Sequence, residues 1–591
     1  MRPTIGLVMI VRDEESNLAA CLESVRNAVD EIVIVDTGSA DGTVAVAYRY
    51  TDKVYHYYWH DDFSAARNYA IGLAASDWLL SLDADEELDT SSGDLRALVN
   101  SPDGYDAYFL PLYNPVPRSP GDYTRYLVLR LFRNTAEYRF QGRIHEQVVV
   151  SRPESVGIAE GPVIRHKPVP GKERNRKRGR NLALLTRAVA AEPDNIFLRF
   201  YLGVEWLAFG RAERALPCFH HVCARLTDEQ ILFRAPAVRY LITCLKALGR
   251  LDEAICACME ECLRYPGYTD LFFEGGVLFE QKGEYEVAVK WFREALNCGD
   301  PPVVFSHTKG TEGFLSLYHL GYCHEQLGRL NEAKEYYERA LQANPGFVYP
   351  LYHLFLIYLA ETRPEVAWDR FQAAGCLARP EQAQALADLF FEAGYPDLAC
   401  ACIEKGVLAA GFPDDGAARH LVRFRVYAGQ PAEALSLLND IRRAGGELDA
   451  RLAVDEVMAL ILKRDYGTAK RKALSLWRSP NGRSAAWALL NLISLCQGDS
   501  LCGRPEKTRE AAVIQTALTI IENCLRAPPR CSGTKNNGGD PEGYRGLAAK
   551  AIDFLIRFSP QSCMALAVYL QEKANAVRQM MSYKYQQVIA S

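Results

Sequence analysis

The chain has 591 residues, room for roughly four domain-sized units at about 150 residues each. With 49% hydrophobic and 24% charged residues and a formal net charge of −5, its makeup is that of an ordinary soluble globular protein. That excludes a disordered or collagenous chain, and the slight acidity disfavours a nucleic-acid binder.

No apolar run approaches the roughly 20 residues needed to span a bilayer. The opening MRPTIGLVMIVRDEE meets acidic residues after one short apolar stretch, so neither a signal peptide nor a transmembrane segment is expected. The 17 cysteines are odd in number and 16 of them lie after residue 200. Cys256, Cys258 and Cys262, or Cys400 and Cys402, lack the paired CxxC spacing of a zinc site. They read as reduced core thiols of a cytoplasmic protein.

Up to about residue 166, short β-type runs alternate with amphipathic stretches. Thr4 to Val11, Glu31 to Asp36, Lys53 to Tyr58 and Trp78 to Asp83 read as strands, and Asn17 to Val29, Thr43 to Tyr50 and Ser64 to Ala74 as helices. This alternation predicts a mostly parallel sheet covered by helices, with ligands at the carboxyl ends of its strands. Further strands are expected at Tyr105 to Leu112, Tyr126 to Phe132, Glu146 to Val150 and Val163 to His166.

From about residue 180 the pattern is helical, and one phrase recurs: Gly, four residues, then Ala. It stands at Gly210/Ala215, Gly249/Ala254, Gly283/Ala288, Gly328/Ala333, Gly394/Ala399 and Gly429/Ala434, with steps of 39, 34, 45, 66 and 35 residues. A helix-turn-helix unit of about 34 residues with insertions and one degenerate copy accounts for these steps. GRLNEAKEYYERALQANP (Gly328 to Pro345) fits best and resembles the tetratricopeptide (TPR) repeat. The stack is expected to form a curved solenoid.

Chemistry concentrates in MIVRDEESNLAACLESV, EIVIVDTGSADGT and HDDFSAARNYAIGLAASDWLLSLDADEE. Asp36 ends a strand in a Gly/Ser-rich turn, where it could accept hydrogen bonds from a base N–H or a ribose hydroxyl while Ser39 shapes the pocket. Asp83 and Asp85 follow the apolar strand WLLSL, and two hard oxygen ligands there suit Mg²⁺ or Mn²⁺. In FQGRIHEQVVV, Glu146 is the preferred general base and His145 the second, since either could take an acceptor proton. Adjacent residues of a strand face opposite ways, so only one of them should point into a site. A salt-bridging pair on an edge strand is the structural alternative.

The ordered blocks VRDEE, VDTGSADGT, SAARN and DADEE resemble the N-terminal half of inverting glycosyltransferases of family 2. FSAARN, DADEE and a later HE followed by TPR repeats is similar to bacterial lipopolysaccharide-core glucosyltransferase-like proteins and to sublancin-type peptide S-glycosyltransferases. The resemblance implies an α/β N-terminal GT-A domain, a Rossmann-like mixed sheet, followed by an all-α TPR-like helical solenoid. It places Val11, Arg12, Glu14, Asp36 and Ser39 around the nucleoside and Asp83 near the ribose. Asp85 would be the main metal ligand, and Arg67 and Asn68 would brace the carboxylates or the nucleotide. Related sequences open an HxGY phrase where this chain has His166-Lys167-Pro168-Val169. A metal-ligand role is thus implied for His166 although the Gly and Tyr are lacking, and a capping or buried structural histidine stands as its alternative.

The run GKERNRKRGR (Gly171 to Arg180) carries six cations and reads as a solvated helix face, or as a surface for the diphosphate or an acidic acceptor. Without interleaved aromatics it does not suggest nucleic acid. The expected organisation is a glycosyltransferase domain over 1–170, a basic helical linker over 171–194 and TPR-like repeats over 195–525. A loop over 526–542 and a C-terminal helical segment over 543–591 complete it.

The resemblance implies a cytoplasmic transferase using a divalent cation, Mn²⁺ or Mg²⁺, and a nucleotide-diphosphate sugar, with a UDP-sugar expected. Its acceptor would be a peptide or protein, or else a glycan, and the repeats would bind the acceptor or form a homodimer. The rival reading from another class is a catalytically inactive TPR scaffold whose GT-A domain only binds a nucleotide sugar.

Overall fold

The computed structural model describes residues 2–102, 104–116, 122–168, 171–227, 230–408, 415–443, 449–477, 482–501, 510–526, 541–559 and 561–573. Its contacts divide the chain into two units, Met1–Tyr336 and Tyr337–Ser591.

The first unit opens with β1 (Ile5–Val11), β2 (Glu31–Asp36), β3 (Val54–His56) and β4 (Trp78–Ser81), separated by the helices α1 (Glu15–Val25), α2 (Thr43–Ala47) and α3 (Phe63–Leu73). Alternate residues of β1 serve opposite faces. Ile5, Leu7, Met9 and Val11 pack with Leu18, Cys21, Leu22 and Val25 of α1, while Val8 packs with Ala70 and Ile71 of α3. A strand covered by helices on both sides is apolar throughout, which is why IGLVMIV reads as a continuous run. These four strands are parallel, and their register sets Val11, Asp36 and His56 abreast at the carboxyl edge.

β5 (Glu86–Asp89), the short α4 (Leu95–Val99), β6 (Ala107–Pro115) and β7 (Tyr123–Arg133) follow. Then come β8 (Phe140–Gln141), β9 (Gln147–Val148), β10 (Val156–Ile158) and β11 (Val163–His166). The main sheet runs β3-β2-β1-β4-β7-β6-β11-β5, with β10 beside β6, and β8 and β9 pair apart from it. Sequence periodicity does not reveal β5, β8 or β10, because two to four residues are too few to display a period. The strand expected at Glu146 to Val150 is shorter than expected, with Glu146 just outside β9.

The helix α5 spans Gly171–Ala191 and carries the basic run in its first half; the side chains of 171–177 lie outside the described residues. Helix pairs follow: α6 (Ile196–Ala208) and α7 (Ala212–Cys223), α8 (Ile231–Ala247) and α9 (Leu251–Arg264), α10 (Thr269–Gln281) and α11 (Tyr285–Cys298), α12 (Phe314–Gln326) and α13 (Leu330–Ala343). Gly328 ends α12 at φ 75°, a left-handed conformation costly for a residue with a Cβ, and the other five glycines of the recurring phrase share it. All six alanines of the phrase are fully buried. Gly276 allows another close approach, since a Cβ there would lie 2.6 Å from the Phe292 ring.

The 45-residue step is an insertion with a task. Between α11 and α12 it forms β12 (His307–Thr308), which pairs antiparallel with Arg125 and Thr124 of β7 and so adds a strand from the repeats to the sheet. Asp270 of α10, fully buried, accepts from the Thr308 N–H at 2.8 Å and meets His307 Nδ1 at 2.7 Å. Arg239 of α8 lies 3.2 Å from Asp270 and donates to the Thr308 hydroxyl at 2.9 Å. The other face of His307 meets Glu312 at 3.2 Å.

Burial alone would lower the pKa of His307, but Asp270 and Glu312 outweigh it and raise it to about 8 from 6.5. A raised histidine contributes stability that is complete below its unfolded pKa and lost as pH rises through the folded one. Urea melts should therefore show about 1.5 kcal/mol of stability lost between pH 6.5 and 8.5, and His307→Gln should lose that slope. Equal slopes in the two proteins would refute the assignment.

The second unit continues the helix pairs. Two of them carry the buried alanine without the glycine: Ala367 follows Thr362, at φ −139°, and Ala469 follows Arg464, at φ 60°. The first supplies the degenerate copy that the 66-residue step requires. Near the end, Tyr544 donates to the Val426 carbonyl at 2.6 Å, tying the helix Pro541–Phe558 to the Asp415–Tyr427 helix. Of the expected loop, residues 527–540 lie outside the described residues, as do 574–591 of the expected terminal helix. Among the described residues, all fifteen cysteines are free thiols, and no helix is long and apolar enough to cross a membrane.

Candidate active site

The buried strand β4 runs through Leu82 into Asp83-Ala84-Asp85, and β5 begins at the next residue. The Glu86 N–H donates to the Asp83 carbonyl at 3.0 Å, closing the turn. Because β5 pairs antiparallel with β11, with His166 opposite Glu86, the end of β11 is carried to Asp85. His166 Nε2 lies 3.5 Å from Asp85 Oδ2, and the Lys167 N–H donates to the Asp85 carbonyl at 2.8 Å. Burial opposes protonation of His166, but Asp85 outweighs it and raises its pKa.

Asp83 faces the other way, into two arginines. Arg67 Nη2 donates to Oδ1 at 2.5 Å and Arg130 Nη2 to Oδ2 at 2.9 Å. Burial would raise the pKa of this carboxyl, yet the two cations hold it well below the usual carboxylate range. Arg130 also donates to Glu86 at 2.7 Å, and burial pushes the Glu86 carboxyl upward in spite of it.

Arg67 lies on α3, whose N-terminus is capped by Asp62 accepting from the Ala65 N–H. Its Nε donates to Glu146 Oε1 at 2.5 Å, its Nη1 to the Ser81 hydroxyl at 3.3 Å, and the guanidinium lies over the Phe140 ring. One buried cation thus joins carboxylates from segments 63 residues apart, Asp83 and Glu146. Arg67→Met would leave Glu146 buried beside no cation, at a cost of about 3–5 kcal/mol, readable in denaturant melts. A loss below about 1 kcal/mol would contradict that role.

Asn68 does not brace the carboxylates. Its side chain donates to the Phe140 carbonyl at 2.8 Å and accepts from the Phe140 N–H at 2.9 Å, pinning β8 to α3. His145 is also turned aside, with φ 51° and its ring stacked on Tyr201 of α6 at 4.0 Å between centroids. Burial lowers its pKa to about 4, and its Nε2 is buried with no hydrogen-bond partner.

At the carboxyl edge of β1 and β2, Val11 closes β1, and its carbonyl accepts from the Thr37 N–H at 3.0 Å. Asp36 is nearly buried and accepts from the N–H groups of Gly38 and Ser39 at 3.1 and 3.2 Å, with His56 Nδ1 at 3.4 Å. The Ser39 hydroxyl accepts from the Asp13 N–H, and the Glu14 N–H donates to the Thr43 hydroxyl. Arg12 is exposed at the same edge.

Sequence reasoning missed Arg130, Glu86, His56 and Tyr201 as parts of this arrangement. Arg130 sits where the β6–β7 register shifts, a bulge that can turn a side chain out of the alternating pattern. Its one signal was a cation inside the apolar strand YLVLRLF.

Among the described residues, no three His, Cys, Asp or Glu side chains form a ready-made metal cage. With both oxygens of Asp83 taken by arginines, Asp85 and His166 are the donors left facing each other. Their 3.5 Å separation is near the roughly 3 Å between neighbouring ligands of an ion bound at about 2.1 Å.

The profile of glycosyl transferase family 2 matches residues 7–147, and that of the tetratricopeptide repeat matches residues 314–347. A TPR repeat-containing protein of Synechococcus elongatus is 36% identical over 42% of this chain and 64% of its own length. The glycosyltransferase SunS of Bacillus phage SPbeta is 28% identical over 36% of this chain and 52% of its own length. The chain thus spans between about half and two thirds of these two relatives. A crystal structure of MamA, 17% identical, covers 30% of this chain and 96% of its own at a TM-score of 0.25. The chain carries a glycosyl transferase family 2 domain over residues 7–147, with a tetratricopeptide repeat in the helical region that follows.

Proposed function

We propose that this chain is an inverting, metal-dependent glycosyltransferase that moves a sugar from a nucleoside diphosphate donor, a UDP-sugar, to a peptide or protein acceptor. The observation that carries this reading is the Arg67 bridge, which holds Glu146 and Asp83 together at the carboxyl edge of the sheet, on the strand end that also presents Asp85 to His166. Val11, Arg12, Glu14, Asp36 and Ser39 take the nucleoside. Asp85 and His166 would hold Mn²⁺ or Mg²⁺, which when bound neutralises charge on the diphosphate.

Glu146 is the general base. It takes the proton of the acceptor hydroxyl or thiol as that atom bonds to the anomeric carbon. The bond from that carbon to the diphosphate oxygen breaks on the opposite face, and its electron pair leaves with the nucleoside diphosphate. His145 is less suited, since its ring is stacked away and its pKa lies near 4. The peptide acceptor rests on the binding habits of repeat arrays, with a glycan as the alternative. Free thiols suit a reducing compartment, so the cytoplasm is the proposed place of action.

Proton NMR of the product formed from a panel of nucleotide sugars tests this reading. The account expects the released or transferred sugar to have the anomeric configuration opposite to that of the donor. Retained configuration would overturn the inverting mechanism.

A further inference from the structure

The loop between β8 and β9 carries Glu146, yet little of its own backbone pairing defines it. Only Phe140–Val148 and Gln141–Gln147 are paired, and the residues between them include Gly142 at φ 100° and His145 at φ 51°. A non-glycine residue at positive φ persists where its surroundings hold it there. The opposite end of the loop is tied to α3, where the Phe63 N–H donates to the Arg143 carbonyl at 3.0 Å.

The repeats hold the rest. Ile144 is buried against Leu185 of α5 and Leu198 of α6. Tyr201, one turn further along α6, lies parallel to the His145 ring, 4.0 Å between centroids with 2° between planes. Its hydroxyl accepts from Gln147 Nε2 at 3.4 Å. A single tyrosine of the first helix pair therefore touches the residues on both sides of Glu146. Since His145 in the left-handed region breaks the alternation of an extended strand, its orientation decides where the following side chain points. Here that side chain meets Arg67.

We propose that Tyr201 is a positioning residue for sugar transfer: by stacking on His145 it holds Glu146 against Arg67, so the first helix pair completes the site of the glycosyltransferase domain. The functional half of this inference rests on Glu146 being the base. Its structural half, the ordering of the loop by Tyr201, does not.

The test uses the full chain with Tyr201→Ala, Tyr201→Leu and Tyr201→Phe. Hydrogen–deuterium exchange over residues 142–148 is the first readout. The leucine keeps apolar bulk on α6 and guards against general unfolding of the helix. Exchange there should quicken at least tenfold in the alanine and leucine variants, with peptides of β1 and α1 unchanged, and stay within twofold of wild type in the phenylalanine variant, which keeps the stack. Hydrolysis of UDP-glucose with Mn²⁺ is the second readout: kcat should fall at least tenfold in the first two variants at unchanged donor KM and be largely kept by phenylalanine. Unchanged exchange in Tyr201→Leu would overturn the proposal, and so would an equal loss in Tyr201→Phe, which would assign the effect to the hydroxyl. If Glu146→Gln hydrolyses UDP-glucose at the wild-type rate, the base assignment fails while the exchange result still decides whether Tyr201 orders the loop.

Discussion

Asp85→Asn should abolish transfer and leave the fold intact. The amide has the shape of the carboxylate, and the contact that fixes this residue's backbone, the Lys167 N–H on the Asp85 carbonyl, is untouched by the change. The buried strand before it and the Asp83–Arg67–Arg130 cluster beside it are equally unaffected. What is lost is the one anionic oxygen donor of the turn that no arginine occupies. A hard divalent cation depends on such charge, and its help to the departing diphosphate amounts to several kcal/mol, so turnover should fall by about three orders of magnitude. Steady-state kinetics beside a thermal melt checks both halves. Wild-type turnover in the variant would remove Asp85 from the metal site.

Glu146→Gln should lower turnover by about 10²- to 10⁴-fold with donor binding preserved. Glutamine keeps an oxygen for Arg67 Nε, and Arg67 retains Asp83 as its counter-charge, so the local geometry survives. The substitution removes the charge and with it the capacity to accept a proton. A drop in kcat at constant donor KM marks a group that acts in the transition state. An unchanged rate would place the base elsewhere, and His145 would be the first residue to test.

Some of this arrangement was legible in the sequence because each signal was local. WLLSL ahead of two aspartates announces a buried strand that delivers carboxylates to a sheet edge, and β4 does end there. Asp36 at the end of EIVIVD is equally plain. The recurring glycines and alanines marked the helix turns for the same reason, while Arg464 in the left-handed region and Thr362 in an extended one hid two copies.

The parts that were not legible depend on contacts distant in sequence. His166 was implied as a partner of Asp85 by the resemblance alone, because the two meet through the register of β11 on β5, a strand too short to show a period. Arg130 depends on a register shift, and Asn68 looks like a ligand residue until Phe140 is placed beside it. Tyr201 lies 55 residues beyond Glu146 and meets the loop only after α6 has docked. The β12 insertion showed as a longer step between glycines, with nothing in its residues to say that it would join the sheet.

Donor binding tests the central claim most directly. Thermal melts of the full chain would be taken with UDP-glucose, UDP-galactose, UDP-N-acetylglucosamine, GDP-mannose and dTDP-glucose, each with Mn²⁺, Mg²⁺ or EDTA. A ligand at 100 times its dissociation constant stabilises the folded state by about 2.7 kcal/mol, enough to raise the melting temperature measurably. The account predicts that a UDP-sugar raises it in the presence of a divalent cation, that EDTA cancels the rise, and that Asp85→Asn loses it. No shift with any donor under either metal would contradict the reading of this domain as an active transferase.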